Sequence, residues 1–144
     1  MNIARDKILD EIKTAISSNR QAFTYHIAGI SYADKTRSFI QGVEANGGSV
    51  FQTKDKTAIE NFIHAERDAG KNIQYITSGQ KLDCSLETLY NIDTAVIRGG
   101  TAVAENGAVW VSEKDMGHRL LPFTCKQLVL IVEEKNIVHN LHEA

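Results

Sequence analysis

The sequence has little of several features that would place it in a special class of protein. It contains 144 residues and only two cysteines, Cys84 and Cys125, which are too few for a disulfide framework and favour reduced thiols. The longest unbroken apolar run, Leu128 to Val132, is far too short to cross a membrane. The charged N-terminus lacks the apolar segment of a signal peptide. We therefore expect a soluble, cytoplasmic protein with no membrane association.

The chain also lacks an excess of positive charge. Lysine and arginine number 16 against 18 aspartates and glutamates, which gives a formal net charge of -2. This balance argues against nucleic acid and against an anionic membrane surface as partners. A Walker loop, a GxGxxG fingerprint and a CxxC motif are all missing, which argues against nucleotide binding and redox-disulfide chemistry.

The composition that is present is that of an ordinary globular chain. Apolar residues make up 42% and charged residues 24%, so the chain is not typical of a disordered protein. A chain of this length buries about 70% of the surface that its unfolded form exposes, so its core needs no disulfide or metal. We expect a single domain over residues 1–144.

The first half alternates between helical and strand patterns. Apolar residues at helical spacing predict three helices. Ile8, Leu9, Ile12, Ala15 and Ile16 predict a surface helix with one buried stripe. A second helix is capped by Ser31 and ends at Asn46-Gly47-Gly48, and a third runs from about Asp55 to Gly70. Short strands are predicted at Ser49 to Gln52 and at Ile73 to Thr77, and a short helix capped by Ser85 follows.

The second half is richer in strand patterns. The predicted strands are Thr94 to Ile97, Val103 to Glu105, Ala108 to Val111 and Leu128 to Val132, with a closing helix over Asn136 to His142. Asn-Gly between two apolar runs is a strong hairpin signal, and it predicts a positive φ at Gly107. Together the patterns predict an α/β, three-layer, Rossmann-like domain, with a mixed, mostly parallel sheet and helices on both faces.

Ligands of open α/β sheets bind at the carboxyl ends of the strands, so the loops after Thr77, Ile97 and Glu105 are the predicted site. Glu105 ends an apolar strand, where a carboxylate is costly unless it is paired or functional. It is a candidate catalytic residue, as a nucleophile, a general base or a ligand-orienting carboxylate. An exposed hairpin tip is the alternative. The neighbouring turn residues are the candidate ligand-binding residues: Gly99, Gly100, Asn106 and Gly107.

A second candidate is His118-Arg119, in a loop before the only proline, Pro122. The fork of an arginine side chain suits a carboxylate or a phosphate, and binding residues often lie on loops. We therefore predict that Arg119 clamps an anionic group with His118 beside it. A surface arginine in an ion pair is the alternative.

Two weaker candidates complete the set. His139 and His142 share one predicted helix face and Glu143 lies beside them, but no third metal ligand placed by the fold is signalled, and an exposed helix end explains them better. Cys125 beside Lys126 could act as a nucleophile if its pKa were lowered, but an inert buried thiol is the simpler interpretation. We expect no metal and no cofactor in this chain.

The second half also resembles a known family. The segment from Asp93 to Ile97, the motif Ala104-Glu105-Asn106-Gly107, Arg119, Leu121-Pro122 and the later apolar strands follow the order of the LUD domain, the lactate-utilisation family. That family carries Ala-Glu-Thr-Gly, so Asn106 stands in place of threonine. The resemblance covers Asp93 to Ala144. It implies the fold of the sugar-phosphate isomerase and CoA-transferase superfamily, and a role beside an iron–sulfur system that oxidises lactate to pyruvate.

Three functional hypotheses stay open at this point. The first is a LUD-type domain of organic-acid metabolism that binds a small anionic metabolite with Glu105, Gly107 and Arg119. The second is a CoA-transferase-like enzyme, because Glu105-Asn106-Gly107 resembles the Ser-Glu-Asn-Gly motif of class I CoA-transferases, with Ala104 in place of serine. The third is a non-catalytic subunit that docks on an iron–sulfur protein, which would hold the cluster because this chain lacks the cysteines for one. A homo-oligomer is left open.

Overall fold

A computed structural model of the chain describes residues 3–17, 29–55 and 57–144. Its helices are α1 (Ile3–Ser17), α2 (Lys35–Ala45), α3 (Ala58–Asp68), α4 (Leu86–Tyr90) and α5 (Leu121–Thr124). Its strands are β1 (Ile73–Tyr75), β2 (Thr94–Arg98), β3 (Ala102–Val103), β4 (Gln127–Ile131) and β5 (Ile137–Val138). Two 3₁₀ turns cover Glu113–Asp115 and Glu134–Asn136.

The central element is a three-stranded parallel sheet in the order β1-β2-β4. Ile73 pairs with Thr94 and Thr94 pairs with Gln127, so the three strands start at the same level. The four residues Thr94 to Ile97 of β2 are buried, as expected for a central strand that is covered on both faces. The carboxyl ends of the three strands therefore lie along one edge of the sheet.

Helices cover both faces of this sheet, which confirms the α/β, three-layer, Rossmann-like prediction. On one face Ala95 and Ile97 pack with residues of α4 and α5, including Leu89 and Leu121. On the other face Val96 packs with Ile63 of α3. Successive side chains of β2 thus alternate between two separate apolar clusters, as a strand dictates.

A second, smaller sheet joins β3 and β5, which are also parallel. Phe39 of α2 packs against Ala102 and Ile137 of this sheet. The predicted antiparallel component is reduced to one isolated bridge, between Ala102 and Val109. The predicted strand Ala108 to Val111 is therefore not a regular strand.

The helix ends are set by local chemistry. The cap of α2 is Asp34 rather than Ser31, since the Asp34 Oδ1 accepts the Arg37 N–H at 2.9 Å. The helix ends at Asn46 and is followed by Gly47 with φ of 80°, as predicted. The predicted cap of α4 is also confirmed, because Ser85 Oγ accepts the Thr88 N–H at 3.2 Å.

Three further predictions are wrong. Ser49 to Gln52 forms no strand, and Asn136 to His142 forms no helix, because Ile137 and Val138 pair with β3 instead. The apolar stripe of α1 is exposed at Ile8, Leu9 and Ile12 rather than buried, and the burial of Ala15 and Ile16 lies outside the described residues. Within the described ranges, no helix has both the length and the apolar character needed to span a bilayer.

Candidate functional site

The loop after β1 is tied to the 3₁₀ turn Glu113–Asp115 at the carboxyl edge of the central sheet. Asp115 accepts two hydroxyl hydrogen bonds, one from Ser78 at 2.6 Å and one from Ser112. The Gly79 N–H donates to the Lys114 carbonyl at 3.2 Å. The Ser112 hydroxyl first, and the Ser78 hydroxyl second, lower the pKa of the Asp115 carboxyl. Asp115 therefore stays ionised and joins two loops where the fold favours ligands.

Arg119 leaves the same loop and forms a fork on a carboxylate. Its Nε donates to Glu113 Oε1 at 2.8 Å, and its Nη2 donates to Glu113 Oε2 at 2.9 Å. Both side chains are exposed, at 75% for Arg119 and 67% for Glu113. The hydrogen bonds from Arg119 lower the pKa of Glu113 below its usual value. Arg119 thus forms the exposed ion pair that the sequence analysis gave as the alternative, and its fork holds a carboxylate of the same chain.

The surroundings of this pair are basic. Lys81 also acts on Glu113 and lowers its pKa further, and Lys114 follows Glu113 in the chain. With Arg119, three cations stand against the two carboxylates of Glu113 and Asp115. His118 lies in the same loop, half-buried, and its Nδ1 accepts the Leu120 N–H at 3.1 Å. Lys81, Lys114 and Arg119, with the loops that carry them, are called the basic edge below.

Glu105 lies in a different part of the structure, at the end of β3 in the small sheet. It is exposed, and its Oε2 accepts the Leu141 N–H at 3.3 Å. Within the described ranges, no hydrogen bond or ion pair joins Glu105 to Arg119. Among the described residues the two side chains also have different partners, since Glu105 accepts from Leu141 and Arg119 donates to Glu113.

The turn at Asn106-Gly107 has the predicted conformation but a different neighbour. Gly107 has a φ of 71°, and Asn106 Oδ1 accepts the Ala108 N–H at 3.0 Å. A Cβ at Gly107 would lie 2.5 Å from the Val43 nitrogen and 2.6 Å from the Gly42 carbonyl carbon. Gly107 is thus needed where the turn crosses α2, and this close approach is to a helix rather than to a ligand.

The two remaining glycines lie after β2, at the carboxyl edge. The Gly99 N–H donates to the Ile131 carbonyl at 2.9 Å, and a Cβ on Gly99 would lie 2.5 Å from the Val109 side chain. The Gly100 N–H donates to the Trp110 carbonyl at 2.8 Å, and Gly100 is exposed. Gly99 therefore serves packing, whereas Gly100 and Trp110 lie at the surface.

The weaker candidates have structural partners. His139 Nδ1 accepts the Tyr32 N–H at 3.1 Å, and the buried Asn140 donates to the Ile30 carbonyl at 3.1 Å. In the part of the chain that the structure describes, no group of three or more histidine, cysteine, aspartate or glutamate side chains is arranged to hold a metal ion. Burial raises the pKa of the Cys125 thiol, the reverse of what activates a nucleophile.

An open depression of about 530 Å³ beside α2 is a further concave feature of the surface. Its lining includes three carboxylates, on Asp34, Glu44 and Glu134, and one arginine, Arg37. This negative balance makes it a poorer place for an anion than the basic edge.

The sequence interpretation missed the partners that build the basic edge. Ser78 and Asp115 are 37 residues apart, and no spacing rule joins them. The one available signal was the position of Ser78 directly after Thr77, where a strand was predicted to end. Glu113 is a carboxylate six residues before Arg119, which was a weak signal for an ion pair. Neither helical nor strand periodicity predicts a contact between two residues at that spacing.

Comparisons with known proteins add no assignment. No family model matches the chain, and neither a curated protein nor a solved structure matches it.

Proposed function

We propose that the protein is a LUD-type ligand-binding domain of organic-acid metabolism, which takes a small carboxylate at the basic edge. The observation that carries the proposal is the two-bond fork of Arg119 on the Glu113 carboxylate. A ligand carboxylate would accept the same two N–H bonds in the same plane. Glu113 therefore occupies the position that the ligand takes.

The exchange of Glu113 for a ligand costs little because the pair is exposed. Exposed ion pairs contribute a median of about 0–1 kcal/mol to stability. The positive potential that a carboxylate also requires comes from Lys81, which acts on Glu113, and from Lys114, which acts on Asp115. Glu113 then acts as a competitor that a ligand displaces, and the Asp115 contacts keep the loop in place.

Lactate is the first ligand to test, because the ordered motifs from Asp93 to Leu121-Pro122 resemble the lactate-utilisation family. On this proposal the oxidation itself occurs on an iron–sulfur partner protein, since the two cysteines of this chain cannot ligate a cluster. Co-purification from the native lysate examines this partner separately. A chain that elutes alone removes the docking part and leaves the binding part intact.

Ligand binding should stabilise the fold, and variants at Arg119 and Glu113 should change the affinity for the ligand in opposite directions. In a thermal-shift and calorimetric screen of lactate, pyruvate, phosphate and acetyl-CoA, a ligand at a hundred times its Kd adds about 2.7 kcal/mol of stability. Arg119→Ala should weaken binding by a few fold, since both hydrogen bonds to the ligand carboxylate are lost but water screens an exposed charge pair. Glu113→Gln should tighten binding, because the competing charge is removed.

The matched control is Arg67→Ala. Arg67 is also an exposed arginine, but it lies near the end of α3. This helix leads into the amino end of β1, away from the carboxyl ends of the strands where Arg119 lies. This variant removes the same charge and should leave binding unchanged. Equal losses in Arg67→Ala and Arg119→Ala, or weaker binding in Glu113→Gln, would overturn the assignment of Arg119.

A second candidate function, a CoA-transferase-like enzyme, is favoured by the exposure of Glu105. Its carboxylate accepts one long hydrogen bond, from the Leu141 N–H at 3.3 Å, and makes no ion pair among the described residues. In this reaction a Glu105 oxygen attacks the carbonyl carbon of an acyl-CoA, and the C–S bond breaks. CoA leaves as the thiolate, and a mixed anhydride remains on Glu105.

Hydroxylamine trapping detects this anhydride as a hydroxamate at Glu105 by mass spectrometry, with any co-purifying partner subunit present. Glu105→Gln should lose the product. Glu143→Gln should keep it, although Glu143 lies nearby and accepts the His139 N–H at 3.0 Å. An unmodified Glu105 with several acyl-CoAs counts against the enzyme and does not affect the binding proposal.

A further inference from the structure

In the described part of the chain, strand β4 lies at one edge of the central sheet. The order β1-β2-β4 places β2 on one side of β4, and in the described part of the chain no strand pairs with its other side. Its five residues, Gln127–Ile131, carry no charge. The opposite edge strand, β1, has only three residues. Uncharged edge strands readily pair with another chain, so of the two edges in the described sheet β4 is the better template for pairing.

The hydrogen bonds to β2 define which groups of β4 are unpaired. The Gln127 N–H donates to the Asp93 carbonyl at 2.8 Å, and the Ile131 carbonyl accepts the Gly99 N–H at 2.9 Å. Backbone groups alternate along a strand, so Gln127, Val129 and Ile131 face β2. The N–H and C=O groups of Leu128 and Leu130 therefore point away from the sheet.

We propose that β4 pairs with β4 of a second copy of this chain, antiparallel about a two-fold axis at Val129. In this register Leu128 of each copy lies opposite Leu130 of the other. The N–H of each of these leucines donates to the carbonyl of its opposite residue, and the two sheets become one sheet of six strands in the order β1-β2-β4-β4-β2-β1. A two-fold axis requires a self-complementary surface. The β4 edge meets this requirement because the axis at Val129 relates Leu128 to Leu130, whose backbone groups both point outward.

The charges at the two ends of β4 fit this orientation. Lys126, which is 74% exposed and pairs with Asp93, precedes the strand, whereas Glu133, Glu134 and Lys135 follow it with a net negative charge and Glu133 pairs with Lys135. Antiparallel pairing brings the basic end of each strand beside the acidic end of the other, whereas parallel pairing would bring like charges together. Charge of this kind sets the orientation of an interface more than its affinity.

The strand itself presents an exposed apolar side chain. Leu128 is 40% exposed and, in the proposed register, is covered by Leu130 of the second copy. Five paired residues bury little area by comparison with stable dimers of about 1,200–2,000 Å². The association should therefore depend on protein concentration.

Hydrogen exchange of the whole chain at low and high concentration tests the pairing residue by residue. The amides of Leu128 and Leu130 should exchange more slowly at high concentration, since they gain partners only in the dimer. The Val129 amide should show no comparable change, because it already faces β2. Exchange at Leu128 and Leu130 that is fast at every concentration would overturn the proposal and leave this edge to a different partner.

Sedimentation velocity of two leucine variants provides an independent test. Leu128→Lys places a charge at the proposed interface and should reduce the dimer fraction at least tenfold at a fixed concentration. Leu141→Lys changes another exposed leucine, 58% exposed, outside β4 and should leave the dimer fraction unchanged. A Leu128→Lys chain that still forms dimers contradicts the proposal. If this variant does not fold, hydrogen exchange of the wild type still decides.

Discussion

Replacing Gly107 with valine should reduce the free energy of unfolding by about 2–6 kcal/mol. About 1–3 kcal/mol comes from holding a β-branched residue at a φ of 71°. A further amount of about 1–3 kcal/mol comes from overpacking, since the new Cβ would lie 2.5 Å from the Val43 nitrogen. The obstructing atoms belong to the backbone of α2, so no side-chain rotation relieves the contact. Urea denaturation followed by circular dichroism measures the loss.

Gly47→Val is the matched control for this prediction. Gly47 has a similar φ of 80°, but a Cβ there would meet no atom within 4 Å. Its cost should be limited to the backbone strain of about 1–3 kcal/mol. Asn106→Ala should also be mild, about 0.5–1.5 kcal/mol, because it loses one hydrogen bond to the Ala108 N–H. Equal destabilisation by Gly47→Val and Gly107→Val would show that the crossing with α2 does not limit this position.

Features of the fold with local causes could be predicted from the sequence. The apolar periodicity of α3, the Ser85 cap of α4 and the glycine after α2 depend on residues within a few positions of one another. The prediction of β2 was also correct, because a central strand is buried and apolar whichever strands lie beside it. Such signals are physical properties of short segments, and they persist in the folded chain.

The wrong predictions concern segments whose structure depends on distant partners. Ser49 to Gln52 has strand-like residues, but none of the described strands pairs with it, and Phe51 is 83% exposed. The sequence pattern predicts a helix at Ile137 and Val138, whereas these residues pair with β3, which lies more than thirty residues earlier in the chain. A strand is stable only when its backbone groups are paired, and short sequence patterns do not indicate which segment will pair.

The candidate site divides in the same way. The sequence indicated Arg119 as an anion-binding residue and Glu105 as a catalytic carboxylate, and both are at the surface. It could not show that the guanidinium would contact Glu113 or that Glu105 would accept the Leu141 N–H, 36 residues away. Chemical capability is a property of one residue, whereas a site requires distances that only the tertiary structure defines.

The second large effect is expected at Leu121, the first residue of α5. Its side chain is fully buried in the cluster that contains Leu89 and Ile97, and its N–H donates to the His118 carbonyl at 3.0 Å. Leu121→Ala should lower the free energy of unfolding by about 2–5 kcal/mol, because it leaves a cavity between α5 and the sheet. Since the backbone bond is kept, the loss should come from packing alone.

Phe123→Ala, two residues further along α5, separates burial from residue size. Phenylalanine is the larger side chain, but Phe123 is 82% exposed, so its removal should change stability by no more than about 0.5 kcal/mol. Both variants are measured by urea denaturation at a dilute concentration, where association through β4 does not contribute. A larger loss for Phe123→Ala than for Leu121→Ala would mean that α5 packs on the sheet through its other face. The covering of β2 by α5 would then need a different explanation.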